Sequence, residues 1–353
     1  MLQITDMSDK LIFIVSSPRS GSTLLERMIS AHSKVVGGPE PHLLTPLAHL
    51  GYYENIEKAP YDHLRAVAAQ REFVAALPDG EKDYITALQA YCFHLYGRQL
   101  EAAGDGKERV LDKTPAYALV LPFITKIFPR AKYVLLARHP AAIFASYAQS
   151  FFENDWKAAH DYNPIIERYV PAMARFIRET KAPFIHIRYE DLVTDPEKYM
   201  QDVSAFLELP YEPQTVEYGS AGETKRKGLG DPIGVDQHKR PVTSSVDKWV
   251  KTVDADVEKQ KLLEKMIGFC DPEDFRTLGY DPNMLFEPLE VYRAKSAQTP
   301  TASGEKKKKK SKKKMNAFSW ERRLLHIIRQ NIHKNWLGKL LRKIRFTCDV
   351  LLR

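Results

Sequence analysis

Two stretches of this 353-residue chain carry side chains suited to holding anions. In "SSPRSGST", residues 16–23, an apolar run leads in and a helical pattern leads out. A nucleotide-phosphate loop reads G-x-x-x-x-G-K-[ST]; here Ser16 and Ser22 replace the first glycine and the lysine, while Gly21 and the hydroxyl of Thr23 are kept. An anion cradle survives: N–H groups around Gly21, hydroxyls of Ser20, Ser22 and Thr23, and the positive end of a helix. The cation has moved into the loop as Arg19. A serine-rich turn that only caps a helix has the same composition. In the second stretch, "RHPAAIFASYAQ", Arg138 ends a strand-like run and Ser146 follows eight residues on. Arg grips a phosphate bidentately and a serine hydroxyl adds a further bond, although such an Arg can equally cap a helix or pair with a carboxylate.

These residues need elements to place them. Strand-like runs lie at 11–15, 109–111, 132–137 and 184–187, and helical spacing at 61–77, 84–103, 116–128, 140–152, 163–180 and 196–208. Residues 61–77 and 84–103 read as an inserted helical pair. The alternation predicts an α/β fold, a parallel sheet flanked by helices on both faces. In such sheets ligands bind beyond the carboxyl ends of the strands, which directs attention to residues 16–23, 112–115, 138–140 and 188–192.

The length and 44% hydrophobic content permit a sizeable core. Cys92, Cys270 and Cys348 are odd in number and far apart, which points away from a disulfide framework or a metal cluster and towards a reducing, cytoplasmic compartment. The opening residues lack the layout of a secretory signal, and no apolar run is long enough for a bilayer. The net charge of +8 is unevenly spread: residues 300–353 carry 17 Lys+Arg against 3 Asp+Glu, so the body before them is slightly acidic. The expected division is a catalytic body over 1–293, a flexible Lys-rich linker over 294–315 and a basic amphipathic helical tail over 316–353.

The loop resembles the 5′-phosphosulfate loop of the sulfotransferases, which use 3′-phosphoadenosine 5′-phosphosulfate (PAPS), release PAP, and carry Arg or Lys at the position of Arg19. Arg138 and Ser146 are similar to that family's 3′-phosphate pair, "FIHIRYEDLVTDP" to a strand and turn found widely in it, and "HKRPVTSSVDKW" to its cofactor-covering loop. The resemblance spans roughly residues 10–270 and implies a P-loop-like sulfotransferase fold. "PRSGSTLLERMISAHSKVVGGPEPHLL" and "LDKTPAYAL" resemble most the sulfotransferase domains of cyanobacterial olefin-forming polyketide synthases, with protein-tyrosine sulfotransferases similar next. It implies Glu40, 21 residues after Arg19, as general base; His238 as a rival base; Lys113 and Arg19 against the sulfuryl group; and Tyr189 and Arg240 at the cofactor. Pro39, Pro41 and His42 around Glu40 depart from the tyrosine-specific pattern, which argues against a peptide-tyrosine acceptor. "GLGDP", 228–232, reads as a lid hinge.

Residues 306–314 hold eight lysines and one serine. Beyond them Leu324, Leu325, Ile328, Ile332 and Trp336 share a helical face; after Gly338 the stripe moves round to Leu340, Leu341 and Ile344, so aligning both halves needs a kink at the glycine. This pattern suits contact of residues 306–346 with an anionic membrane surface, peripheral on its inner face; packing on protein and binding of nucleic acid by charge alone are the alternatives. The expected activity is PAPS-dependent transfer of a sulfuryl group to a small or lipid-like alcohol, or to a carrier-bound hydroxyacyl group. The competing readings are a small-molecule kinase with a degenerate P-loop, and an inactive membrane-binding relative.

Overall fold

The computed structural model describes residues 6–50, 63–220 and 238–298. Five parallel strands form one sheet in the order β2-β3-β1-β4-β5: β1 Leu11–Ser16, β2 Val35–Val36, β3 Arg109–Lys113, β4 Lys132–Ala137 and β5 Phe184–Arg188. β1 pairs with β3 on one side and β4 on the other, Phe13 standing opposite both Asp112 and Tyr133. The chain leaves β1 towards β2 and β3 and then returns past it to β4. That reversal opens a crevice at the carboxyl end of β1, where such sheets bind ligands.

Both faces of the sheet are covered, so its strands are apolar almost throughout rather than alternating. Leu11, Phe13 and Val15 join one buried cluster with Val110, Tyr133 and Leu135. Ile12 and Ile14 face the other way, into a cluster with Leu111, Val134, Leu136 and Ile187. That second layer is built by α1 (Ser22–Ser30), α9 (Tyr189–Thr194) and α10 (Pro196–Phe206). The first carries α4 (Glu81–Ala102), α5 (Leu121–Ile127), α6 (Pro140–Phe151), α7 (Trp156–Tyr162) and α8 (Ile165–Glu179), and closes with α11 (Lys248–Asp254), α12 (Val257–Phe269), α13 (Pro272–Thr277) and α14 (Glu287–Gln298). The short α2 (Leu44–Ala48) follows β2, and α3 (His63–Ala75) pairs with α4 as the expected helical insertion.

Three expectations need adjustment. The helix read over 116–128 divides into a 3₁₀ turn, Pro115–Leu119, and α5, because Pro122 has no N–H to carry the ladder back to Ala118. The two-residue β2 escaped the sequence reading because a pair of valines has no measurable period. α14 runs through Gln298, over the first residues assigned to the linker. The rest of 294–315, the tail and "GLGDP" lie outside the described residues. No helix among the described residues is long and apolar enough to cross a membrane.

Candidate active site

The loop after β1 is tightly folded. Arg19 and Gly21 take left-handed φ of 68° and 91°. Ser20 is fully buried, and its hydroxyl donates to the Ser17 carbonyl at 2.5 Å. Ser20 therefore shapes the loop rather than facing the cavity, a different job from the ligand contact expected of it. Gly21 precedes α1 at its N-cap position, and no side chain caps the helix there. A Cβ on Gly21 would lie 2.5 Å from the Tyr189 ring, so both the backbone conformation and the close approach require glycine.

Gly21, Ser22, Thr23 and Arg19 line a cavity of about 650 Å³ that also takes in Glu40, His42, Arg138, Ser146, Tyr189, His238 and Arg240. Every expected site residue other than Ser20 and Lys113 lines it. Lys113 sits just behind the wall, 2% exposed at the end of β3, and its Nζ donates to Glu40 Oε1 at 2.7 Å and to Thr23 Oγ1 at 3.4 Å. Glu40 is reached on its other oxygen by His42 Nε2 at 3.5 Å. Base candidate, buried cation and the hydroxyl of Thr23 thus meet at the cavity wall.

A second group of contacts is built around Arg138, also in the cavity lining. Its two terminal nitrogens donate to the carbonyls of Arg19 at 2.9 Å and Ser245 at 2.8 Å, and its plane lies 4.2 Å from the centre of the Tyr189 ring. Its Nε is buried without a hydrogen-bond partner. Burial pushes the guanidinium pKa below its ordinary value, so the site gains by accepting an anion. Ser146, one helical layer away on α6, receives its hydrogen bond from Arg19 Nε at 3.2 Å rather than from Arg138. The Arg–Ser pair shares the cavity without touching. An anionic cofactor with two phosphate groups fits these donors: Arg138, whose Nε has no partner, the uncapped start of α1, and Arg19 all belong to the lining of the one cavity.

Arg240 and His238 stand at the exposed mouth. Arg240 is paired there with Glu197 at 2.5 Å and Glu217 at 3.1 Å. Its segment is tied down where Gly219 N–H donates to the Lys239 carbonyl at 3.0 Å.

Sequence reasoning missed the supports of Arg138. Glu190 accepts from the His139 N–H at 2.9 Å and from the Tyr280 hydroxyl at 2.7 Å, so the "RYEDL" turn clasps the end of β4 to the C-terminal segment. The His139 ring stacks on Trp249, 5.0 Å centre to centre, and its Nε2 meets the Leu285 carbonyl at 3.0 Å. Burial lowers the His139 pKa to about 4. The motif was visible in the sequence, but its partners lie 51 to 146 residues away and no local pattern points to them.

The profile of the sulfotransferase family matches residues 12–213, which takes in β1 to β5 and both Lys113 and Arg138, and the chain belongs to that family. It is an enzyme of the sulfuryl-transferring class. It is similar to the nodulation protein NoeE of Sinorhizobium fredii, 26% identical over 300 residues, covering 78% of this chain and 67% of that protein. It is also similar to protein-tyrosine sulfotransferase 1 of Danio rerio, 26% identical over 282 residues with 77% and 73% covered. Among solved structures it aligns with the sulfotransferase domain of the Synechococcus PCC 7002 olefin synthase at 24% identity and a TM-score of 0.46, covering 72% of this chain and 93% of that one.

Proposed function

We propose that this protein transfers the sulfuryl group of PAPS to a hydroxyl acceptor, with Glu40 as general base. The observation that carries the reading is the Lys113–Glu40 pair at 2.7 Å, in which Glu40 lines the same cavity as the Arg19 loop and Arg138 and Lys113 backs it. Arg138, Ser146 and Tyr189 would hold the 3′-phosphate and adenosine end of PAPS. The N–H groups at the start of α1, with Ser22, Thr23 and Arg19, would hold the 5′-phosphosulfate.

Glu40 takes the acceptor's hydroxyl proton as that oxygen bonds to sulfur. The sulfur–oxygen bond to the 5′-phosphate breaks, and its electron pair stays with the phosphate oxygen. Arg19 and Lys113 stabilise the charge that gathers on the sulfuryl and leaving oxygens, the electrostatic help that in-line transfer needs most. Lys113 does so from behind Thr23 and Glu40. Its distance from bulk water strengthens its field at that spot. His238, at the mouth, remains the rival base.

Pro39, Pro41 and His42 shape the acceptor side next to Glu40, which favours a small or lipid-like alcohol, or a hydroxyacyl group on a separate carrier, over a peptide tyrosine. The basic tail supports a cytoplasmic enzyme resting on an anionic membrane surface through residues 306–346. Sedimentation with anionic vesicles should pellet the full chain and spare a chain ending at residue 299; equal pelleting rejects the membrane role. The activity is tested by following PAP release from PAPS across alcohols, carrier-bound hydroxyacyl groups and tyrosine peptides. Release that requires an alcohol or hydroxyacyl acceptor supports the reading. Release with tyrosine peptides alone overturns the acceptor assignment, and full turnover by Glu40→Ala overturns the base.

A further inference from the structure

Beneath the Lys113–Glu40 pair lies a buried polar cluster that the mechanism above leaves unused. Asp112, the neighbour of Lys113 on β3, is 3% exposed and points to the opposite face of the sheet end. Its Oδ2 accepts from the hydroxyls of Tyr96 at 2.7 Å and Tyr117 at 3.0 Å, and its Oδ1 from Thr114 at 3.3 Å. Three hydroxyls thus donate to Asp112, the pattern of a carboxylate acceptor; burial pushes its pKa up to about 6 while these hydroxyls pull it down. The Tyr117 hydroxyl must then spend its proton on Asp112, and its lone pair receives the Leu44 N–H at 3.1 Å.

Leu44 is the first residue of α2, and no side chain caps that helix. Tyr117 supplies from a distance the acceptor that an N-cap residue normally gives. The segment 37–43, which carries Glu40, therefore hangs from β3 at both ends. At its start β2 pairs with β3, Val36 opposite Val110, and Gly37 runs so close to α1 that a Cβ there would lie 2.2 Å from Ser30 Oγ. At its end the Asp112–Tyr117–Leu44 chain ties it to the strand that also presents Lys113.

We propose that Tyr117 is a positioning residue, whose hydroxyl fixes the Glu40 segment against Lys113 by joining Asp112 to the start of α2. The inference rests on Glu40 being the base. Tyr96 provides the internal comparison: it donates to the same Asp112 oxygen but has no bond to the Glu40 segment.

Tyr117→Phe keeps the ring that packs edge-on against Phe13 and removes only the hydroxyl. A base displaced by about an ångström costs up to about 100-fold in rate, so kcat should fall by about 10- to 100-fold while acceptor KM and PAP affinity stay unchanged. Tyr96→Phe should keep kcat. In a Glu40→Ala background Tyr117→Phe should cost nothing further, because there is no base left to misplace. Retained kcat in Tyr117→Phe, an equal loss in Tyr96→Phe, or a full additional loss in the Glu40→Ala background overturns the proposal. Full turnover by Glu40→Ala alone removes the base assignment and this inference with it, and is told apart by needing no change at Tyr117. Amide exchange in the unaltered protein gives a readout that no variant's folding can confuse: the Leu44 N–H should be protected as a bonded group, and exchange at the rate of a free amide contradicts the link.

Discussion

The two cations set at β-strand ends beside the cavity, Lys113 and Arg138, are held in opposite ways. Lys113 is buried beside a carboxylate, Glu40, and its charge is answered within the protein. Arg138 is half-buried against two backbone carbonyls and an aromatic face, with its Nε left unpartnered. A carboxylate partner is a full counter-charge, whereas a carbonyl offers only a dipole. Arg138 is thus set to draw in an anion and Lys113 to hold a proton acceptor at a fixed place. On the proposed function, binding belongs to one wall and turnover to the other.

Replacing side chains on each wall in turn tests that division. The largest effect should come from Glu40→Ala, with kcat lower by about 10²- to 10⁴-fold and PAP affinity retained; Lys113→Ala should follow the same pattern. Arg138→Ala should weaken PAP binding by about 100-fold, the worth of one or two charge-assisted hydrogen bonds. A loss of PAP affinity in Glu40→Ala equal to that in Arg138→Ala would merge the two walls into one. Gly21→Ala should lower stability by at least about 1–2 kcal/mol from the left-handed backbone alone, with a further loss from the clash with Tyr189. Thermal denaturation with and without PAP measures both.

The smallest effect concerns the support of Arg138. In the unfolded chain His139 takes up a proton near its ordinary pKa of 6.5, but the folded protein resists until about pH 4. Its contribution to stability is complete above 6.5 and is lost as pH falls towards 4. Asp112, raised from 3.8 to about 6, works in the other direction, its contribution fading as pH rises through that interval. The denaturation midpoints of wild type and His139→Phe should therefore converge as pH drops from 7 to 5. Parallel curves would show that His139 is not held neutral by burial.

Much of this arrangement was legible in the chain. β4 matched its expected bounds, and β1, β3 and β5 were recognised to within two residues, because buried parallel strands announce themselves as short apolar runs between helical patterns; only the two-residue β2 was missed. The loop, Lys113 and Arg138 drew attention because they follow strand-like runs, and Glu40 and Ser146 because their spacings from Arg19 and Arg138 resemble the family's; the structure gathers them around one cavity. What escaped was long-range: the Asp112–Tyr117–Leu44 link joins residues up to 73 positions apart, and Trp249 meets His139 across the whole C-terminal half. The helices after residue 247 also went unread: α11 and α13 are only 7 and 6 residues long, too short for a period to show, and their burial is set by what they pack on. Ser20 looked like a ligand contact because composition cannot tell a hydroxyl that faces a cavity from one that ties its own loop together.

The measurement nearest the central claim is calorimetric titration of the full chain with PAP and, separately, with ATP and Mg²⁺. Micromolar or tighter PAP binding that collapses in Arg138→Ala is the expected result. Clear ATP binding with no response to PAP would contradict the account and favour a phosphoryl-transfer enzyme in its place.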